Sequence, residues 1–308
     1  MKNITIIGSG SFGCALAYVL SNNNNIKIWS YTIEETNSIN NDHKCLFLPE
    51  LKLDEKIKCY QSYEESLKDS EIVVIVTPSS VFKNTCESIK NHITNQDIVI
   101  ATKGLSNNRL LSDIAKEILN KEVSVVSGPS HAEQIAENIP TYVDFCGNKE
   151  LIKVFETDLF KLEFVDDIVG IQVGAALKNI ISLGCGILEG LNYKSNTISY
   201  YITEGLKEIN TISISMGAKP ETIYGLAGLG DLLTTSLSLD SRNKRAGILL
   251  GKGKSIEEIK KEIGMTIESF EVLKSVKSII NNKELDCKLI NNLYSIIYEN
   301  KDINSILV

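Results

Sequence analysis

Three glycines near the amino terminus, Gly8, Gly10 and Gly13, have the G-x-G-x-x-G spacing of a turn that binds a pyrophosphate. They follow a short apolar run and precede a helix-like segment. In such a turn the first glycine permits a tight bend, the second lets the backbone approach the phosphates, and the third lets the helix pack on the strand. Because the spacing alone also fits a glycine-rich turn without a ligand, the flanking strand and helix carry the prediction of a dinucleotide site.

The residues that follow the second apolar run, "IKIW", should contact the adenine ribose, about 20 positions beyond the glycines. An acid there binds the hydroxyls of NAD, and a basic residue binds the 2′-phosphate of NADP. This chain has Ser30, Tyr31 and Thr32, which are neither, and Glu34 and Glu35 fall in the next predicted helix. We therefore expect relaxed or NAD-leaning specificity, with Tyr31 beside the ribose.

Three later apolar runs end at Pro78, at Lys103 and at residues 128–130. Open α/β sheets bind ligands beyond the carboxyl ends of their strands, so these residues are predicted to line a crevice. The ammonium group of Lys103 would lie over that crevice; the alternative is a solvated surface lysine.

Lys178 and Asn179 interrupt a long apolar segment, residues 170–191. A charged side chain in a buried helix is costly unless it is paired or functional, and a buried lysine suits proton transfer. The alternative is a lysine on a narrow exposed stripe. Asp231 follows a glycine-rich turn, where capping a helix would explain it.

Two of the three arginines, Arg242 and Arg245, lie in the segment "SRNKR" (241–245). The planar guanidinium fork binds phosphate through two parallel hydrogen bonds. In a chain that otherwise uses lysine, this choice indicates a phosphate site; the alternative is a charge cluster at a helix end.

Composition limits the partners and the compartment. The 308 residues carry a formal net charge of −7, which argues against general binding of nucleic acid or anionic membranes. Seven cysteines form no C-x-x-C pair and three histidines form no metal-ligand pair, so we expect a reducing, cytoplasmic compartment and no metal. Segment 168–191 contains polar side chains and is predicted to be a buried helix, not a membrane segment.

Apolar runs and helical patterns alternate up to about residue 165, which predicts an α/β fold with a Rossmann-type, doubly wound parallel sheet. The predicted strands are 3–7, 26–29, 72–76, 97–102, 123–127 and 141–145. Helices fill the gaps, one of them over 107–120, and only helical patterns follow residue 168, one of them over 220–226. We expect a dinucleotide-binding domain over 1–167 and a C-terminal all-α substrate and catalytic domain over 168–308.

Together these features resemble the bacterial NAD(P)-dependent glycerol-3-phosphate dehydrogenase family over essentially the whole chain. The segments concerned are "GSGSFGCALA" (8–17), "FLP" (47–49), "VTPS" (76–79), "ATKGL" (101–105), "SGPSHA" (127–132), "GIQVGAALKNIISLGCGI" (170–187), "GLAGLGDLLTT" (225–235), "SRNKRAG" (241–247) and "GMTIES" (264–269). The "LKN", "AGLGDL" and "SRN" blocks are specific to it. The resemblance implies a usually dimeric enzyme of phospholipid synthesis that interconverts dihydroxyacetone phosphate and sn-glycerol 3-phosphate with NAD or NADP.

The resemblance also implies residue roles. Lys178 would be the general acid/base for the ketone oxygen, with Asp231 holding its ammonium group. Substrate contacts would come from Lys103, Gly128, Ser130, Lys178, Asn179, Asp231, Thr235, Ser241, Arg242 and Asn243. Cofactor contacts would come from Gly8, Gly10, Ser11, Phe12, Gly13, Tyr31, Pro78, Lys103, Ala132, Arg242 and Glu268.

The chain departs from the family pattern at several of these blocks. Tyr31 stands where arginine is common, which weakens the expectation of a 2′-phosphate site. The other departures are Ser130 for threonine, His131 for an aromatic residue, Gln134 for glutamate, and Ile198 and Glu204 for basic residues. None of them removes the implied catalytic set.

Two other hypotheses stay open on the sequence. The chain could be another reductase on the same scaffold that acts on a keto or hydroxy acid, although the "SRN" block argues against it. It could also be a non-catalytic dinucleotide-binding sensor, against which the intact set of Lys178, Asp231 and Arg242 argues.

Overall fold

The computed structural model describes residues 1–307 of a chain that packs into two units, Met1–Ile168 and Val169–Val308. The strands all lie in the first unit. They are β1 (Asn3–Ile7), β2 (Asn25–Trp29), β3 (Lys44–Cys45), β4 (Leu48–Lys52), β5 (Lys58–Tyr60), β6 (Ile72–Ile75), β7 (Asp97–Ile100), β8 (Leu105–Ser106), β9 (Arg109–Leu110), β10 (Val123–Ser127), β11 (Thr141–Cys146) and β12 (Phe160–Phe164).

Eight of these strands form one sheet in the order β12-β11-β10-β7-β6-β1-β2-β5. Ile4 of β1 pairs in parallel with Ile26 of β2 on one side and with Ile72 of β6 on the other. The chain thus winds outward in both directions from β1, which confirms the Rossmann-type arrangement. Strands β6 and β10 are buried along their whole length, as expected of central strands covered on both faces.

The sheet is parallel except for one pair of strands near its edge. Strand β11 runs antiparallel to β10, with Val125 opposite Cys146, and β12 pairs in parallel with β11. Strand β12, "FKLEF", was not predicted, although its alternation of apolar and charged residues is the pattern of a half-buried strand.

The helices of the first unit largely follow the predicted gaps between strands. They are α1 (Ser11–Ser21), α2 (Ile33–Asn37), α3 (Tyr63–Leu67), α4 (Phe82–Ile89), α5 (Leu111–Leu119), α6 (Ala132–Ala136) and α7 (Ile152–Phe155). The helix expected over 107–120 begins only at Leu111. Asn107 and Asn108 both have positive φ, at 50° and 62°, and form the turn of a hairpin in which Ser106 pairs with Arg109.

The second unit is all-helical over its described residues, 169–307, as predicted. Its helices are α8 (Ile168–Gly190), α9 (Ser195–Ser215), α10 (Asp231–Leu237), α11 (Arg242–Gly251), α12 (Ile256–Ile263), α13 (Glu268–Asn282) and α14 (Lys288–Tyr298). The helix predicted over 220–226 is instead a 3-10 turn, Thr222–Tyr224, followed by a π turn, Leu226–Gly230.

Helix α8 is the core of the second unit, because every residue from Gly170 to Leu188 is buried. It is long and apolar enough to cross a membrane, but 89% of its most apolar window is buried inside the protein. This confirms the prediction of a buried helix.

Helix α11 lies directly on α8 because glycines face each other at the contact. A Cβ on Gly186 would lie 2.1 Å from the carbonyl oxygen of Lys244, and one on Gly247 would lie 2.1 Å from that of Leu183. No side chain fits between the two backbones. This close contact determines where the amino end of α11, with Arg242, lies relative to α8.

We expect Gly247→Ala to lower the free energy of unfolding by about 1–3 kcal/mol, because the added methyl group must push α11 away from α8. Lys252→Ala, an exposed position just beyond the end of the same helix, should change it by less than about 0.5 kcal/mol. Chemical denaturation of both variants tests this, and equal stability of the two would contradict the close contact.

Candidate active site

The predicted phosphate-binding turn connects β1 to α1, and its glycines answer different needs. Gly8 has a φ of +125°, a conformation that favours glycine. A Cβ on Gly13 would lie 2.0 Å from the carbonyl oxygen of Gly8, so only glycine lets α1 pack this closely. A Cβ on Gly10 would meet no atom within 4 Å, which leaves open space in front of the turn.

The amino end of α1 faces this space. The helix begins with Ser11 and Phe12, Gly10 is its N-cap, and no side chain caps it. Its first N–H groups therefore have no partner within the helix, and the helix dipole adds partial positive charge there. The open space and these N–H groups together fit a pyrophosphate.

The end of β2 differs from what the sequence indicated. Ser30 is fully buried, and Tyr31 is 82% exposed. Glu35 lies in α2 as predicted, but its carboxylate turns back towards the turn: the hydroxyls of Ser9 and Ser30 both donate to its Oε2 atom. Sequence reasoning missed this contact because Glu35 stands one helical turn beyond the position where an acid is usual.

Lys103 is half-buried beyond the end of β7 and is not a solvated surface lysine. Its Nζ atom donates to the carbonyl oxygen of Gly128 at 2.8 Å and to the hydroxyl of Ser130 at 3.3 Å. The same atom lies 6.0 Å from the centre of the Phe12 ring. Four of the predicted residues of the first unit therefore lie together.

The other predicted residues of the first unit lie near this edge of the sheet. Pro78 is exposed, just beyond β6, and Ala132 is buried at the start of α6, which packs against α1. His131 precedes that helix, and Gln134 lies within it; both are half-buried.

In the second unit, Lys178 and Asp231 form a buried ion pair. Lys178 lies in the middle of α8 and is only 5% exposed, and Asp231 is fully buried. The predicted capping role of Asp231 is wrong: Gly230 holds the N-cap position, and Asp231 is the first residue of α10. The π turn before α10 brings the carboxylate to the ammonium group, so the lysine is not on an exposed stripe.

Two asparagines connect α8 and α11 to the start of α13. The Nδ2 atom of Asn179 donates to Glu268 at 2.8 Å, and the Oδ1 atom of Asn243 accepts from the backbone N–H of Ser269 at 3.0 Å. Each asparagine keeps the other end of its amide for a ligand.

A hydroxyl cluster lies at the amino end of α11. Ser182, which sequence reasoning missed, donates to the carbonyl oxygen of Thr235 at 2.9 Å and lies 3.3 Å from the hydroxyl of Ser241, the N-cap of α11. Thr235 is 4% exposed, yet its Oγ1 atom has no hydrogen-bond partner among residues 1–307. This hydroxyl is therefore open to a hydrogen bond with a ligand or a water molecule.

Arg242 is the first residue of α11 and is half-buried. Its guanidinium group forms no ion pair with a carboxylate in the described part of the chain, so its fork can bind an anion. The ammonium group of Lys244, two residues further along α11, instead pairs with the carboxylate of Glu189 at 3.0 Å.

Two of the departures from the family pattern lie in α9. Glu204 pairs with Lys207 at 2.7 Å, and Ile198 is half-buried.

Family comparison covers both units. The family model described as the NAD-dependent glycerol-3-phosphate dehydrogenase N-terminus matches residues 3–150, and the one described as its C-terminus matches residues 167–308. The chain belongs to the NAD-dependent glycerol-3-phosphate dehydrogenase family.

Individual members of the family align with this dehydrogenase chain almost from end to end. The glycerol-3-phosphate dehydrogenase [NAD(P)+] of Fusobacterium nucleatum is 40% identical over 98% of this chain and 94% of its own length. The one from Clostridium tetani is 36% identical over 98% of this chain and 90% of its own. The crystal structure of glycerol-3-phosphate dehydrogenase from Coxiella burnetii has a TM-score of 0.95 at 32% identity, over 99% of this chain and 97% of that one.

The turn glycines of this dehydrogenase family member provide a matched test. Gly13→Ala should lower the free energy of unfolding by about 1–3 kcal/mol, because its methyl group would overlap the Gly8 carbonyl oxygen. Gly10→Ala should unfold like the wild type, since its methyl group meets no protein atom. Its methyl group would occupy the ligand's space, so NADH should bind it at least about tenfold more weakly. Normal NADH affinity in Gly10→Ala, measured by fluorescence titration, would contradict the proposed position of the pyrophosphate.

Proposed function

We propose that this protein interconverts dihydroxyacetone phosphate and sn-glycerol 3-phosphate by hydride transfer with NAD(P)H. The observation that carries the proposal is the buried pair of Lys178 and Asp231, a proton donor and its counter-ion, in a unit that also presents the unpaired guanidinium of Arg242. Membership of the dehydrogenase family supports it, as does the activity for which the Fusobacterium nucleatum relative is named.

In this proposal residues 1–167 bind the dinucleotide, and residues 168–308 bind the substrate and supply the proton. The pyrophosphate would lie at the turn formed by Gly8, Gly10, Ser11, Phe12 and Gly13. The other cofactor contacts would come from Tyr31, Pro78, Lys103, Ala132, Arg242 and Glu268. The bound nicotinamide ring supplies the hydride for reduction and accepts it in the reverse reaction.

Lys178 would move the proton. During reduction its Nζ atom donates a proton to the ketone oxygen, where negative charge develops, and during oxidation it takes the proton back from the hydroxyl group. Asp231 holds Nζ in place and balances its charge in a site that excludes most water. The site would thus stabilise the charge that forms in the transition state.

Arg242 would bind the substrate phosphate through its fork, with Ser241 and Asn243 beside it at the start of α11. The hydroxyl of Thr235 would form a hydrogen bond with a substrate oxygen. Asn179 would orient the carbon chain of the substrate next to Lys178. Further substrate contacts would come from Lys103, Gly128 and Ser130.

We also propose that the enzyme supplies the glycerol phosphate backbone of phospholipids, as a homodimer in the cytoplasm. The seven buried free cysteines fit a reducing compartment. Burial raises the pKa of Cys185, a residue of α8, to about 12, so this thiol remains protonated and packs as a small apolar side chain.

Size-exclusion chromatography with light scattering tests the dimer.

Lys178→Ala should lower kcat by about a thousandfold, because the proton donor is lost. NADH affinity should stay within about twofold of the wild type, since Lys178 is not among the proposed cofactor contacts. The variant should also lose about 3–5 kcal/mol of stability, because the buried carboxylate of Asp231 loses its lysine counter-ion. Steady-state kinetics and denaturation measure the two effects.

The double variant Lys178→Ala/Asp231→Ala separates catalysis from folding. It also removes the carboxylate that lost its lysine counter-ion and should recover part of the lost stability, while its turnover stays as low as that of Lys178→Ala. Turnover near the wild-type value in either variant would show that Lys178 is not the acid/base.

Arg242→Lys should raise KM for dihydroxyacetone phosphate about tenfold with a smaller effect on kcat, because a point charge replaces the two-pronged contact with phosphate. Arg245→Lys, an exposed position on the same helix, is the matched control and should leave both constants unchanged. The wild type should prefer the phosphorylated ketone strongly over dihydroxyacetone. Equal turnover of the two ketones, or of a keto acid, would favour the alternative reductase, and no NAD(P)H oxidation with any ketone would favour the non-catalytic sensor.

A further inference from the structure

We propose that Glu35 makes this enzyme select NADH over NADPH, by placing a carboxylate, held by Ser9 and Ser30, where the adenine ribose lies. The inference rests on the proposed function only in that it requires a dinucleotide at the glycine turn.

The contacts of the carboxylate connect it directly to that turn. Ser9 stands between Gly8 and Gly10, and Ser30 is the first residue after β2. Both hydroxyls donate to Oε2 of Glu35, Ser30 at 2.7 Å, and their own oxygens lie 2.8 Å apart. Ser9 and Ser30 are almost completely buried, at 4% and 0% exposed, so the carboxylate is held in one place.

The contacts of Glu35 with Ser9 and Ser30 take the place of a capping contact within α2 that the sequence would favour. Thr32 and Glu35 are spaced as in a capping box, in which the glutamate accepts from the backbone N–H of the N-cap residue. In α2 only half of the box forms: Thr32 accepts from the Glu35 N–H at 3.2 Å, but the Thr32 N–H donates to Ser30 at 3.3 Å. Ser255 and Glu258 of α12 form the complete box. The Glu35 carboxylate therefore binds Ser9 and Ser30 at the glycine turn instead of capping its own helix.

The chemistry of this position suits a ribose hydroxyl and opposes a phosphate. The hydrogen bonds described for the carboxylate, over residues 1–307, both use Oε2, which leaves Oε1 to accept from a hydroxyl. A 2′-phosphate would bring further negative charge and requires a cation nearby. Residues 30–43 contain no lysine or arginine, but they do contain Glu34, Glu35 and Asp42. The exposed ring of Tyr31 adds no positive charge.

The test measures binding of NADH and NADPH by fluorescence titration without any ketone, so turnover is not the readout. The wild type should bind NADH at least about tenfold tighter than NADPH. Glu35→Gln keeps the size and one amide oxygen of the side chain but removes its charge, and it should reduce this ratio about tenfold, chiefly by tighter NADPH binding. Glu34→Gln, an exposed neighbour, should keep the wild-type ratio.

A second measurement needs no variant. If the carboxylate repels the 2′-phosphate, raising the ionic strength should narrow the difference between NADH and NADPH in the wild type. Equal wild-type affinities, or an unchanged ratio in Glu35→Gln, would overturn the role of Glu35 while leaving the dinucleotide site intact. Failure of both nucleotides to bind would overturn the dinucleotide site itself.

Discussion

A charged lysine in the middle of a buried helix is the constraint on which the second unit depends. Without a partner, the ammonium group of Lys178 would cost several kcal/mol in the apolar core. The glycine-rich π turn before α10 meets this need, because it brings Asp231 to α8. The pair holds the ammonium group in a fixed orientation, which the proposed proton transfer by Lys178 requires.

Close packing around α8 also fixes the positions of other polar groups in the second unit. Glycines at the contact with α11 let two helix backbones touch, which places the amino end of α11 beside α8. Asn179 and Asn243, one from each helix, then hold the start of α13, and Ser182 joins the hydroxyl cluster. The polar residues thus hold one another in place.

The first unit uses the carboxyl ends of its strands in the usual way of an open α/β sheet, with one substitution. No acid stands at the end of β2, but the carboxylate of Glu35, from the next helix, accepts hydrogen bonds from Ser9 and Ser30 beside the glycine turn. Lys103, Gly128 and Ser130 show the regular case, in which residues that directly follow different strands meet at one edge.

Local patterns in the sequence determined the α/β-then-α order, the glycine turn and the buried helix, because periodicity and glycine spacing act within a few residues. The continuous apolar runs did not mark β12, which alternates apolar and charged residues, or the reversed direction of β11, since strand direction depends on pairing across the sheet. The motifs and the family resemblance named Lys178 and Asp231 as candidates, but only the tertiary structure decided that they pair and that Glu35 turns to the glycine turn. Lys178 and Asp231 are 53 positions apart in the sequence, and Ser9 and Glu35 are 26 apart. Contacts over such separations depend on tertiary packing and not on local sequence preference.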